Sequence, residues 1–174
     1  MALVIETGAG DNPSANSYAS VQDLRDYADA RGVDLSALTD PECEPLMIRA
    51  MDYLEGLRGR YKGVIAHPEY PQPLQWPRAD AWGIAYPDAL FPSDQIPREL
   101  IYAQLALAID AQDNDLQPNR LPTDTGPVTK ERVEGAVEVT YAAPVQQQYT
   151  PAFAKADALL APLLKNNGLF LVRA

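Results

Sequence analysis

One cysteine and one histidine, Cys43 and His67, are the only thiol and the only imidazole in this chain of 174 residues. A tetrahedral zinc site needs three or four nitrogen or sulfur ligands, so a single subunit cannot build one. A lone cysteine also excludes an internal disulfide and gives no sign of an oxidising compartment. His67 lies in HPEY with no GxSxG elbow and no cysteine beside it. A catalytic triad therefore has no footing, and the residue reads as structural or solvent-facing. Neither GxxxxGK[ST] nor GxGxxG occurs, and the glycines of GAGDN at 8–12 mark only a loop. MALVIETGAG lacks the basic start and long apolar core of a signal peptide. No run approaches the roughly 20 apolar residues that cross a bilayer. The expectation is a soluble protein made inside the cell, not an enzyme, with no cofactor.

Bases are the other scarcity. Fourteen Lys and Arg face 24 Asp and Glu, a net charge of −10. Proteins that grip phosphates gain affinity from clustered cations that displace counterions. Here the bases are scattered. The densest group is Arg58, Arg60 and Lys62 in GLRGRYKG, at the end of an expected helix, where the helix dipole alone favours cations. These three remain weak DNA-contact candidates. Three aspartates in DAQDNDLQ (Asp110, Asp113 and Asp115) lack the glycine and terminal glutamate of an EF-hand loop, so they read as a solvated helix end.

What the chain does have is an ordinary hydrophobic share, 47%, and 16 prolines, crowded between 68 and 97 and between 118 and 127. The length suits one domain with a real core. ALVI at 2–5 reads as a short strand. Ser20 opens a near-capping box with Asp23, and Val21, Leu24, Tyr27 and Ala28 share a face of a helix over about 20–31, closed by Gly32. A second helix over 41–57 follows Asp40 as N-cap and Pro41, with a stripe of Leu46, Met47, Ala50, Met51, Leu54 and Leu57. Pro97 starts a third, over 97–113, apolar nearly all round and so expected at the centre. Alternating Val133, Val137, Val139 and Tyr141 predict a β-hairpin over about 128–141. A last helix runs over 151–165, kinked or divided at Pro162, before an apolar tail at 168–174. The fold class expected is mainly α: a small bundle of about four helices with long proline-rich extended arms, a hairpin and short terminal strands.

Between the second and third helices, residues 63–95 show no helical pattern and read as an extended arm or long loop, with room for short strand pairing. At its centre is LQWPRADAWGIAYPD, residues 74–88. Trp76, Trp82, Tyr86 and the nearby Tyr70 suit base stacking, but stacking platforms sit in positive grooves. Arg78 is the only base between 67 and 96, against Glu69, Asp80, Asp88 and Asp94. Aromatic and arginine anchors equally suit protein interfaces, and the local charge favours protein contact.

Taken in order, ANSYASVQDLRDYADARG, IRAMDYLEGLRGRYKG, LQWPRADAW, DQIPRELIYAQLALA, VEGAVEVTYA, the ALLAPLL helix and the LVRA ending resemble a family of tailed-phage proteins. Its members are often labelled DnaT-like single-stranded-DNA-binding proteins, yet their layout is similar to that of helical head–tail connector (adaptor, head-completion) proteins. The resemblance spans nearly the whole chain. It implies a single connector domain over 1–174, assembled as a ring of twelve copies beneath the portal protein. A tail, stopper or nozzle protein would lie below, and genomic double-stranded DNA would pass through the lumen without specific binding. The implied location is the virion head–tail interface, reached from the host cytoplasm, with no membrane partner. Trp76, Pro77, Arg78, Trp82 and Tyr86 would then anchor a neighbouring chain. Leu169, Phe170, Leu171, Val172 and Arg173 would dock on the portal or, equally, pair with ALVI of their own chain. The alternative is single-stranded-DNA binding, as the label says.

Overall fold

The structure, a computed structural model, describes residues 2–69, 72–84, 89–118, 128–134, 136–141 and 153–165. The chain divides into two compact units, Met1–Leu116 with Ala152–Ala174, and Gln117–Pro151. The first holds four helices: α1 (Val21–Asp29), α2 (Asp40–Gly56), α3 (Arg98–Asp110) and α4 (Ala154–Leu160). The second contains the hairpin β3 (Val128–Glu134) and β4 (Ala136–Tyr141), antiparallel with Val133 opposite Val137. A mainly α protein with one hairpin is what the sequence predicts.

Each helix starts for a chemical reason. The Ser20 hydroxyl accepts from the Asp23 backbone N–H at 3.1 Å, and the Asp23 carboxylate accepts from the Ser20 N–H at 2.7 Å. Asp23 thus completes the capping box that its side chain is just long enough to close. At α2 the N-cap is Thr39, one residue before the expected Asp40, and its N–H and hydroxyl both donate to Glu42. Threonine wins because Glu42 stands three residues beyond it, which puts Asp40 and Pro41 in the first turn.

The expected central helix is α3. It touches α1, α2 and α4, and seven residues from Leu100 to Ala108 are buried, including Gln104. Gln104 has no exposed surface, yet both ends of its amide are satisfied: it accepts from the Tyr18 N–H at 3.0 Å and donates to the Ser17 hydroxyl at 2.8 Å. One buried amide thereby fixes the segment entering α1 against the core helix. The last helix is shorter than expected, beginning at Ala154. Pro162 falls in a 3-10 turn, Ala161–Leu163, that ends it, as a ring without an N–H should.

One expectation is corrected. Among the described residues ALVI forms no strand of a sheet; there Ile5 alone bridges Ser17, in parallel. The Asn16 side chain accepts from the Val4 N–H and takes the place of a ladder partner. Among its described residues the 63–95 segment has no helix, and it is a loop with the short strand pairing that the sequence allows. A two-residue antiparallel pair, β1 (Val64–Ile65) with β2 (Arg78–Ala79), closes it on itself. Leu74, Trp76 and Ala81 join the same hydrophobic core as the helices. The tail at 168–174 lies outside the described residues.

Candidate functional site

The 61–91 loop is built around Trp76. Its side chain is fully buried, with the rings of Tyr61 and Phe91 edge-on at centroid distances of 6.3 and 6.0 Å. The Trp76 N–H donates to the Tyr18 hydroxyl at 3.1 Å, and the Gln75 N–H donates to Glu55 at 3.0 Å. Gln72 spans the turn by donating to the carbonyls of Leu74 and Pro77. The Trp76–Pro77 peptide bond is cis.

Arg78 acts as a clamp. Its guanidinium donates to the carbonyls of Lys62 at 2.7 Å, Gly63 at 2.8 Å and Gln75 at 3.2 Å. The planar fork reaches three backbone acceptors that a lysine could not serve together. Burial draws its pKa down, opposed by the nearby Tyr61, Tyr18 and Glu55. Burial likewise raises the Glu55 carboxyl and the Tyr18 hydroxyl above their ordinary values.

Trp76, Pro77 and Arg78 are therefore buried by their own chain. Proline spacing and local acidity revealed an irregular segment, but not which face of it turned inward. Trp82 behaves differently: it is 54% exposed. It bridges Leu90, which is 50% exposed, and Val64 on β1 is 57% exposed. The Phe91 N–H to the Ala81 carbonyl (2.8 Å) and the Gly83 N–H to the Ala89 carbonyl (3.1 Å) close the backbone around the Trp82–Leu90 bridge. The same loop thus carries three of the four large exposed hydrophobics among the described residues, the fourth being Ile5. Tyr86, Tyr70 and Leu169, Phe170, Leu171, Val172 and Arg173 lie outside the described residues.

The basic group sits beside this loop. Arg58 and Arg60 are exposed on a 3-10 turn, with Arg58 3.8 Å from Glu55. The Lys62 ammonium reaches the Gly83 carbonyl at 3.4 Å. Elsewhere, Asp110 is partly buried and its carboxyl is raised by that burial, with Lys155 opposing, while Asp113 and Asp115 are exposed. His67 lies 3.4 Å from Glu69 through Nδ1, and Cys43 is buried. Among the described residues no group of three or more His, Cys, Asp or Glu is placed to hold a metal, and no helix is long and apolar enough to cross a membrane.

A second feature was missed in the sequence. Between α1 and α3 a groove of about 250 Å3 is lined by Asp23, Asp26, Tyr27, Arg31, Tyr102 and Leu105, among others. The Arg31 guanidinium lies 3.4 Å from the Tyr27 ring centre and 5.4 Å from that of Tyr102, and Arg98 lies 5.4 Å from Tyr102 on α3. The two tyrosine rings meet edge-on at 5.2 Å. The four-residue spacing of Tyr27 and Arg31 was the available signal, since i and i+4 share a helix face.

A family model described as "Putative DnaT-like ssDNA binding protein" matches residues 1–174. The chain belongs to this family. No curated protein and no solved structure matches it. For a member of a family so described, the charge distribution is notable: the groove between α1 and α3 that carries two tyrosines and an arginine also carries two aspartates.

Proposed function

We propose that this chain is a structural virion protein, a head–tail adaptor that binds as a ring beneath a phage portal, joins capsid to tail and forms part of the DNA channel. The observation that carries this reading is the division of the 61–91 loop. Trp76 and Arg78 are committed to the core, while Trp82, Leu90 and Val64 stay exposed on a loop held rigid by them. Large apolar side chains presented on a fixed backbone suit a protein partner, because the ordering cost of binding is met in advance. A net charge of −10 suits a wall past which DNA slides without sticking. Adaptor rings close by rotation through heterologous interfaces, so Trp82 of one copy would meet a different surface on the next component.

Mixing the protein with its cognate portal and imaging by electron microscopy tests the reading. The expected result is an added ring, of twelve copies, lost in Trp82→Asp with Leu90→Ser. Portal particles that never gain density would overturn it. Deleting residues 168–174 separately tests the portal-docking role of Leu169, Phe170, Leu171, Val172 and Arg173: unchanged affinity removes that role.

The family description favours a second reading, single-stranded-DNA binding. Its best support in the fold is the Arg31–Tyr27–Tyr102–Arg98 ladder, where rings and cations converge. Micromolar or tighter binding of an oligonucleotide with a steep salt slope, lost in Arg31→Ala with Tyr102→Ala, would establish it over the adaptor reading.

A further inference from the structure

Among its described residues the chain carries an exposed aromatic knob and, elsewhere, an aromatic-lined groove. The knob is Trp82, the one aromatic among the four large exposed hydrophobics. Its backbone is bridged to that of Leu90, which is exposed as well. A cation stands beside it, since the Lys62 ammonium lies 3.4 Å from the carbonyl of the next residue, Gly83. Arg58 and Arg60, exposed on the turn that leads to Lys62, extend this positive charge.

The groove lies between α1 and α3. Its volume, about 250 Å3, falls below the roughly 300–1,000 Å3 of pockets that enclose small-molecule ligands. That size suits a single large side chain. Its lining includes the apolar Ala30, Ile101 and Leu105 beside the rings of Tyr27 and Tyr102. Arg31 is exposed, its guanidinium 3.4 Å from the Tyr27 ring centre and donating to the Tyr27 carbonyl at 3.1 Å. The two ring centres are 5.2 Å apart, too close for Tyr102 to lie across that guanidinium from Tyr27. One face of Arg31 is thus left for another ring, and tryptophan is the best ring for it. Asp23 and Asp26, both exposed, also line the groove and offer acceptors to an entering indole N–H.

Charge commits the groove to a second copy of this chain. Two copies of net charge −10 repel, so an apolar contact between them needs a local match of opposite sign. Trp82 brings Lys62, Arg58 and Arg60 with it, and the groove presents two carboxylates. A knob on one part of a molecule and its complement on another make a heterologous contact, which repeats from copy to copy.

We propose that Trp82 of one copy seats in the α1–α3 groove of the next, against Arg31, with Arg58, Arg60 and Lys62 facing Asp23 and Asp26. This names the surface that Trp82 meets in the ring proposed above and rests on that reading for its place in assembly.

Sedimentation of the full chain from micromolar to millimolar concentration tests the contact without portal. Wild type should associate as concentration rises, and less so in high salt. Trp82→Ala removes the knob, and Ala30→Arg fills the groove and adds a cation beside Arg31. Each should weaken association about tenfold or more, as loss of a central tryptophan anchor does. Both positions are exposed, so the urea midpoints should stay near wild type. Arg31→Ala, a second groove variant, should weaken association too. Mixed in equal parts, Trp82→Ala and Ala30→Arg share one intact knob and one intact groove, and should form a dimer and nothing larger. A wild type that stays monomeric at millimolar concentration overturns the proposal, as does an Ala30→Arg chain that associates like wild type. Loss of oligonucleotide binding in Ala30→Arg with self-association unchanged would give the groove to nucleic acid instead. Rings that form on portal from a wild type monomeric in solution would keep the adaptor reading and remove this contact from it; portal left bare by a self-associating chain would do the reverse.

Discussion

Replacing Trp76 by alanine should cost the isolated chain about 3–5 kcal/mol, the range for deleting a buried aromatic and leaving a partly collapsed cavity. The value belongs at the upper end here. Trp76 has no exposed surface, and two edge-on partners, Tyr61 and Phe91, lose their contacts with it. Each such aromatic pair contributes about 0.5–1.5 kcal/mol beyond area burial. For a chain of this length each kcal/mol moves the melting midpoint by roughly 2–4 °C, so the loss is about 10 °C or more. Trp76→Phe should be far milder, about 1.5 kcal/mol or less, because the buried indole N–H has no acceptor and its removal leaves no partner behind. Trp82→Ala should fall within about 0.5 kcal/mol of wild type, as an exposed side chain does. Urea titration followed by circular dichroism measures all three without relying on the tryptophans as probes. If Trp82→Ala destabilised the monomer as much as Trp76→Ala, the division between a core tryptophan and a surface one would be refuted.

Further outcomes rest on the same loop and on the helix starts. Burial raises the Glu55 carboxyl, so the folded state holds its proton to higher pH than the unfolded state does. The stability linked to that proton is fully present below the unfolded value near 4.5 and lost as pH rises through the raised folded value. Urea midpoints across this window should therefore differ least between wild type and Glu55→Gln at the acid end, and the variant should gain on wild type as pH rises. Gly63→Ala should cost on the order of 2 kcal/mol in the same titration, since φ is +71° and the new methyl meets the Ala79 carbonyl and the Ala81 backbone. Ser20→Ala should cost about 1 kcal/mol by removing the hydroxyl that accepts from the Asp23 N–H, whereas Ser20→Asp should restore most of it. Arg78→Lys should be almost as damaging as Arg78→Met, because one ammonium cannot reach the carbonyls of Lys62, Gly63 and Gln75 together.

The helices were legible because their signals are local. Ser20 with Asp23, the proline at 97 and the all-round apolar face of α3 each act within a few residues, and each lies where periodicity puts it. Thr39 was missed for an equally local reason: Asp40 is also a good cap, and only the position of Glu42 decides between them. The 61–91 loop depends on contacts that no periodicity announces. Arg78 serves carbonyls 15 and 16 residues earlier in the chain, and Trp76 is held by a hydroxyl 58 residues away. An arginine beside a tryptophan carries the same composition whether it faces a partner or its own backbone. What separates the two cases is whether enough carbonyls are left over nearby, and a loop with few ladder bonds leaves many.

That accounting also bears on the proposed role. A long loop without regular structure normally leaves its backbone acceptors to water and moves freely. Here Arg78, Gln72 and Glu55 between them occupy groups of Lys62, Gly63, Leu74, Gln75 and Pro77. Among its described residues the loop is thus tied from within, and the backbone of Trp82 is bridged to that of Leu90. If the exposed pair serves assembly, Arg78→Met should weaken portal binding without touching any interfacial side chain. The loss should appear as a slower association rate, because the pair would have to be ordered at each encounter. A variant that folds, is destabilised as expected and still binds portal at the wild-type rate would separate the clamp from assembly and leave Arg78 a purely structural residue.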